Sequence, residues 1–404
     1  MKRIELLAPA GDMNKLKAAF YFGADAAYIG GKAFSLRAQA GNFTDEEIAE
    51  AVKYAHDLGK KIYVTVNILA RNYDIDLAEK YFVFLEKTGV DGAIISDAGL
   101  ISVCKAAAPN LNIHLSTQAS ALNYATVKFW KDYGVRRVIL ARELSLTEIK
   151  EIKERVPDIQ LEAFVHGAMC ISYSGRCLLS DYRTGRSSNR GECVQACRWN
   201  YEIRERGSDG SFMTVEQDER GTYILNSKDL NLVDEIDLLD KSGVDSFKIE
   251  GRMKSEYYLA TVINAYRRAI DDYYLKGKDY KLNPLYNTEL EKTAHREFTK
   301  AYLFGENDRT ENFNDSQSKG TRKFAAVVIG GGENYVLIEM RNRFKTGDEL
   351  EVLSPTENLN KIIKVDKMET EDGEPISDAK IVLQKIKLFT PLKLKVGDML
   401  RLNM

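Results

Sequence analysis

The sequence predicts an α/β protein: a (β/α)8 barrel with a cysteine-rich insertion after its seventh strand, followed by a small antiparallel β-barrel. Three observations predict it. Eight short β-rich runs alternate with helical stretches over about the first 270 residues, the length such a barrel needs. A short pattern recurs just before four of those runs: Gly23-Ala24-Asp25, Gly89-Val90-Asp91, Gly134-Val135-Arg136 and Gly243-Val244-Asp245. Glycine tolerates positive φ just past a helix, so each copy reads as helix end, turn, next parallel strand. No G-x-G-x-x-G follows the first run, which removes the main argument for a doubly wound open sheet.

The elements follow in order. Strands are expected at residues 4–8, 26–29, 61–66, 92–96, 112–116, 137–141, 161–165 and 246–249. A helix over 45–58 opens with Thr44 and has Glu47 three residues later, a capping box. Residues 77–87, 146–155 and 230–241 also carry apolar side chains at helical spacing. One unit is irregular: residues 168 to about 225 intervene after the seventh strand, where loops of this fold form the catalytic face. Residues 276–321 read as a polar link that includes the run at 306–312. Beyond it, β-runs at 324–329, 335–339, 349–353, 361–365, 379–383 and 399–402 are separated by turns such as Gly330-Gly331-Gly332. The boundaries are therefore 1–275, 276–321 and 322–404.

Lys+Arg 58 against Asp+Glu 60 leaves a net charge of -2, so overall charge makes no case for nucleic acid. No apolar run of membrane-spanning length occurs, and Glu5 and Asp12 interrupt any signal-peptide core, so a cytoplasmic protein with no membrane partner is expected. Four of the five cysteines, Cys170, Cys177, Cys193 and Cys197, fall close together in the insertion. In a reducing compartment such a cluster points to metal rather than disulfides. The spacing C-x6-C-x15-C-x3-C has only one close pair, whereas structural zinc usually shows two. Iron–sulfur clusters accept more varied spacing. Spacing alone leaves zinc and cluster level. Cys104 stands apart, on a helical stretch, as a small core residue.

Cations surround the cluster: Arg176, Arg183, Arg186, Arg190 and Arg198. They favour thiolates and could grip phosphates or a dicarboxylate. Polar residues end several strands, among them Asn67, Asp97, Gln118, Arg142, Glu143, His166, Glu250 and Arg252, positions where this fold keeps catalytic groups. His166, Glu250 and Arg252 are the catalytic candidates; a buried second-layer role for His166 and a Glu250–Arg252 pair are the bland alternatives. There is no phosphate loop, no H-E-x-x-H helix and no G-x-S-x-G elbow.

The run Glu162-Ala163-Phe164-Val165-His166-Gly167-Ala168-Met169-Cys170, continued by Ser174-Gly175-Arg176-Cys177-Leu178-Leu179-Ser180, resembles the signature of peptidase family U32, the collagenase-like proteins. Cys193 to Tyr201, Asn226-Ser227-Lys228-Asp229-Leu230, Phe247-Lys248-Ile249-Glu250-Gly251-Arg252-Met253-Lys254 and the opening Leu7-Ala8-Pro9-Ala10-Gly11 extend the likeness. Arg341-Asn342-Arg343-Phe344 and Gly347-Asp348 look like the C-terminal barrel of its tRNA-modifying branch. The resemblance implies an oxygen-independent hydroxylase holding a 4Fe-4S cluster on Cys170, Cys177, Cys193 and Cys197, which breaks the tie towards iron. It implies 5-hydroxyuridine formation at the wobble position of tRNA, with prephenate as hydroxyl donor and co-substrate. Arg142, Arg176 and Arg252 are then candidates for the two carboxylates of prephenate. The insertion's arginines, with those of the C-terminal barrel, would hold the anticodon arm. A paralogous partner subunit is a further expectation. The competing readings are a U32-type peptidase, a hydroxylase of ribosomal RNA or of a quinone precursor, and a zinc-stabilised RNA-binding scaffold.

Overall fold

A computed structural model describes residues 3–36, 41–170, 172–199, 227–305 and 318–404, with the backbone of two further strands, Arg204–Arg206 and Phe212–Thr214. The polar run at 306–312, the motif positions Asn200, Tyr201 and Asn226, and much of the insertion's second half lie outside the described residues.

Eight parallel strands close into a barrel. They are β1 (Glu5–Pro9), β2 (Ala26–Gly30), β3 (Lys61–Val66), β4 (Gly92–Ile95), β5 (Ile113–Leu115), β6 (Arg137–Ile139), β7 (Gln160–Ala168) and β8 (Ser246–Ile249). Each pairs with the next, and β8 pairs with both β7 and β1, which seals the ring. The strands are buried almost throughout, as a parallel sheet with covered faces requires. Gly89 caps the helix Ile75–Thr88 in the left-handed conformation, and Gly23, Gly134 and Gly243 share its positive φ. The repeat thus marks where each helix stops so that the next strand can begin. The capping box at Thr44 and Glu47 starts the helix Asp45–Asp57.

The barrel interior is layered. Leu7, Ala26, Tyr28, Tyr63, Ile94 and Ile139, with Phe164 against them, form an apolar layer. One inward position nearer the strands' N-terminal ends, buried Arg137 pairs with both half-buried Glu5 and buried Glu162.

Two expectations need correction here. Residues 230–241 are not one helix: Asp229–Asn231 form a strand antiparallel to β7, and the α-helix runs only over Ile236–Lys241. The cause is Asp229, which is buried and bonded to the backbone N–H and guanidinium of Arg296, and so pins the chain as a strand. For the same reason residues 276–305 are no bare link: they hold a helix, Leu285–Leu290, and a strand, Phe298–Thr299, that pairs with Asp229–Asn231.

The chain packs as two compact units. The first comprises Met1–Leu16, Asp25–Met253 and Arg296–Ser318; the second comprises Lys17–Ala24, Lys254–His295 and Lys319–Met404. The second unit carries an antiparallel eight-stranded sheet curled over Ala326, Ile338, Val352, Ile386 and Leu400. Beside that core, fully buried Arg401 binds Glu289 and Glu351, and Lys292 closes the knot between the same carboxylates. The expected strand at 379–383 is displaced. Ile381, Val382 and Leu383 are exposed, and Lys385–Phe389, whose alternate residues Ile386 and Leu388 are buried, takes the central place.

Candidate active site

One cavity of about 200 Å3 opens at the C-terminal ends of the barrel strands, beneath the insertion. Its walls carry Cys170, Cys177, Cys193 and Cys197 together with Arg142, Glu143, Arg198, Lys248, Glu250 and Arg252. With Lys248 balanced by Glu162, three arginines stand against two carboxylates, so the wall favours an anion before the sulfurs are counted.

The insertion is held over the mouth by specific ties. Glu143 accepts hydrogen bonds from the backbone N–H (2.7 Å) and hydroxyl (2.9 Å) of Ser174. Arg190 pairs with Asp74 at 2.9 Å and donates to the Leu69 carbonyl. The backbone N–H of Leu69 donates to the Asn189 carbonyl, and Ser188 and Asn189 donate to that of Cys177.

All four cysteines are free thiols. The backbone N–H of Leu179 donates to Cys177 Sγ at 3.3 Å, and that of Gln195 to Cys193 Sγ at 3.4 Å. Cys170 Sγ lies 3.0 Å from Ser172 Oγ. Burial pushes the Cys197 thiol up to about 11, and the other three cysteines, Cys170 foremost, push the same way, while Arg198 opposes them. The four are thus electrostatic neighbours whose negative charges a cation would relieve. Among the described residues no three His, Cys, Asp or Glu side chains stand close enough together to hold a single metal ion. The donor chemistry fits a thiolate-ligated centre; the sulfurs would have to draw in around it. Cys104 is buried on a helix, and burial pushes its thiol up to about 12.

Arg142 stacks on Phe164, its guanidinium carbon 3.8 Å from the ring centroid, and donates to the Ala168 carbonyl at 2.8 Å. Arg252 is buried and crosses the mouth to Ser35 (2.7 Å) and Thr65 (2.9 Å), which bond each other. Glu250 accepts from the Tyr28 hydroxyl at 3.3 Å. Asn67 donates to Gln118 at 3.1 Å across the rim.

His166 does not line the cavity. Strand alternation would aim it inward after Glu162 and Phe164, but the register slips: Lys248 faces Phe164 while Ile249 faces His166, two residues along. That bulge inverts the alternation. His166 is buried instead with its ring 5.6 Å from that of Phe298. Arg176 and Arg183 are exposed and Arg186 half-buried, all off the cavity wall, and Arg190 is committed to Asp74.

The residue that sequence reasoning passed over is Lys248. It lines the cavity, is 3% exposed, and bonds Glu162 at 2.9 Å. Burial lowers its amine below the ordinary lysine value, against the opposing charge and hydrogen bond of Glu162. Nothing in a strand-like run Phe247-Lys248-Ile249 separates an inward lysine from a solvated one; only the register does.

A family model for peptidase family U32 matches residues 11–312, and one for the U32 C-terminal domain matches residues 321–401. The chain belongs to peptidase family U32. It is 43% identical to tRNA hydroxylation protein P1 of Bacillus subtilis (strain 168), over 99% of this chain and 95% of that protein. It is 39% identical to tRNA hydroxylation protein P of Escherichia coli (strain K12), over 93% of this chain and 91% of that one. The 23S rRNA 5-hydroxycytidine C2501 synthase of the same organism is 34% identical over 87% of this chain and 52% of its own length.

Proposed function

We propose that this U32 protein is a tRNA hydroxylase that forms 5-hydroxyuridine at the wobble position without molecular oxygen, with prephenate as hydroxyl donor. The observation that carries the reading is one anion-attracting cavity that joins four free thiols to the mouth of a (β/α)8 barrel. The names borne by relatives of nearly the same length support tRNA as the substrate.

Cys170, Cys177, Cys193 and Cys197 would hold a 4Fe-4S cluster, and the amide donors on Cys177 and Cys193 favour the thiolate form that such ligation needs. Bound there, the cluster would supply one-electron redox chemistry beside the substrates. Arg142, placed by Phe164 and the Ala168 carbonyl, offers a guanidinium to a carboxylate. Arg252 is already engaged by Ser35 and Thr65, so its role is to fix the mouth's shape as well as its charge. A cavity of about 200 Å3 cannot admit folded RNA, so only a base taken out of its stack enters. Exposed Arg176 and Arg183, with 86%-exposed Tyr182 between them in sequence, suit phosphates and a stacked base outside the mouth.

The test is the nucleoside profile of tRNA from cells lacking this protein, complemented with wild type or with Cys177→Ser. Loss of 5-hydroxyuridine, restored by wild type only, is expected, together with iron and sulfide in anaerobically purified protein. An unchanged profile, or wild-type protein free of iron, overturns the reading.

A further inference from the structure

Among the described residues lining the cavity, Lys248 is the one primary amine. Its Nζ lies 4.3 Å from the Tyr28 ring centroid and 5.5 Å from that of Phe164. Glu162 takes one of its three possible hydrogen bonds. Lys292, the other buried lysine among the described residues, differs: Glu289, Glu351 and Asn360 all accept from it, and it does not line the cavity.

We propose that Lys248 is a covalent anchor that condenses with the ketone of a 2-oxo acid held at the cavity floor. The inference rests on the anion-binding reading of this cavity and names the group recognised there. The amine lone pair attacks the carbonyl carbon, a C–N bond forms, the carbonyl oxygen leaves as water, and an imine results. No oxidant or reductant is needed.

Three features support it. The first is desolvation. Lys248 is 3% exposed, and burial strips away the water that stabilises its ammonium form, outweighing the ring faces of Tyr28 and Phe164 that favour the cation. Its acidity shifts in the matching direction.

The second is charge bookkeeping in the layer beneath. Glu5, Arg137, Glu162 and Lys248 form a neutral set of two carboxylates and two cations. Passing the Lys248 proton 2.9 Å to Glu162 leaves Glu5 paired with Arg137 and creates no buried net charge. Glu162 can therefore accept the proton before attack and return it as water departs. An isolated buried lysine would have no such outlet.

The third is the partner cation. Arg142 stacks on the same Phe164 ring that Lys248 approaches, so one aromatic side chain places both a guanidinium and an amine. A carboxylate on the former and an adjacent ketone on the latter is the functional-group pattern of a 2-oxo acid.

The experiment is reductive trapping on the wild-type protein. Pyruvate or phenylpyruvate is added with cyanoborohydride, and digested peptides are weighed. The expected result is a secondary-amine adduct on the peptide holding Lys248, formed faster than on any solvent-exposed lysine and suppressed by prephenate. Adducts on surface lysines with Lys248 untouched overturn the proposal. Lys248→Arg keeps the charge beside Glu162 but has no condensing amine. It is expected to stay folded by circular dichroism, lose the adduct and lose nucleoside formation. Wild-type turnover by that variant also overturns the proposal. Failure of the hydroxylase reading would appear separately, as a missing nucleoside with both proteins, because trapping needs neither RNA nor turnover.

Discussion

Glu162 is fully buried between two cationic side chains, Arg137 at 3.0 Å and Lys248 at 2.9 Å. Removing one member of such a set strands the others, which costs about 3–5 kcal/mol. Glu162→Gln is therefore expected to lower the urea midpoint sharply, whereas Glu148→Gln, at an exposed helix cap, lowers it by a small fraction of that. Equal midpoints for the two variants would refute the account. The same residue shows what the sequence could tell. The four cysteines, Arg142, Glu250 and Arg252 were legible as a site because thiol clustering and strand-end polarity are local signals. Lys248 and Glu162 were not, because their meaning lies in strand register across the barrel. His166 misled for the converse reason: alternation aimed it inward, and a bulge turned it away.

At the scale of the element, that bulge makes its own prediction. Gly167 follows it on β7 with φ +106°, and a Cβ there would lie 2.4 Å from the backbone oxygen of Glu250. A flexible side chain could step aside; a carbonyl cannot. Gly167→Ala is expected to cost about 1–3 kcal/mol in backbone strain alone and to move Glu250, so that activity falls further than stability does. Gly89→Ala meets nothing within 4 Å and carries only the penalty of its positive φ, which makes it the matched control. If urea midpoints and turnover fall equally in both, steric coupling of β7 to Glu250 is wrong. Element boundaries divide on the same principle. All eight barrel strands are readable because each is a short buried β-run, and four of them follow a helix-ending glycine turn. Residues 230–241 have helical spacing, but the ion pair of Asp229 with distant Arg296 overrides it. Likewise Lys385–Phe389 was passed over in favour of the more apolar 379–383, although only the former alternates.

For the whole molecule, the two units should answer acid differently. His114 is wholly buried in the barrel, 4.5 Å from the Tyr63 ring and near Arg137 and Lys248. Burial first, then those cations, hold its imidazole well below the ordinary 6.5. In the unfolded chain the same ring takes a proton near pH 6.5, so the unfolded state binds the extra proton there. Stability from this group is therefore complete above that pH and falls as pH drops below it, by about 1.4 kcal/mol per pH unit for one proton. Glu289 and Glu351 in the second unit behave otherwise. Burial alone would raise both, but Arg401 and Lys292 bring them below the usual 4.5, so their stabilisation persists until pH falls beneath that value. The two tryptophans, Trp130 and Trp199, both belong to the first unit, so their fluorescence reports that unit alone. Urea titrations followed by tryptophan emission are expected to show midpoints declining from pH 6.5 to 5. His114→Phe keeps a ring against Tyr63 and cannot take a proton, so its midpoint should fall less steeply over that range, buried His166 remaining in both proteins. A wild-type midpoint that does not move between pH 6.5 and 5, or a variant that declines just as steeply, would show that the buried imidazole is not what couples the barrel to acid.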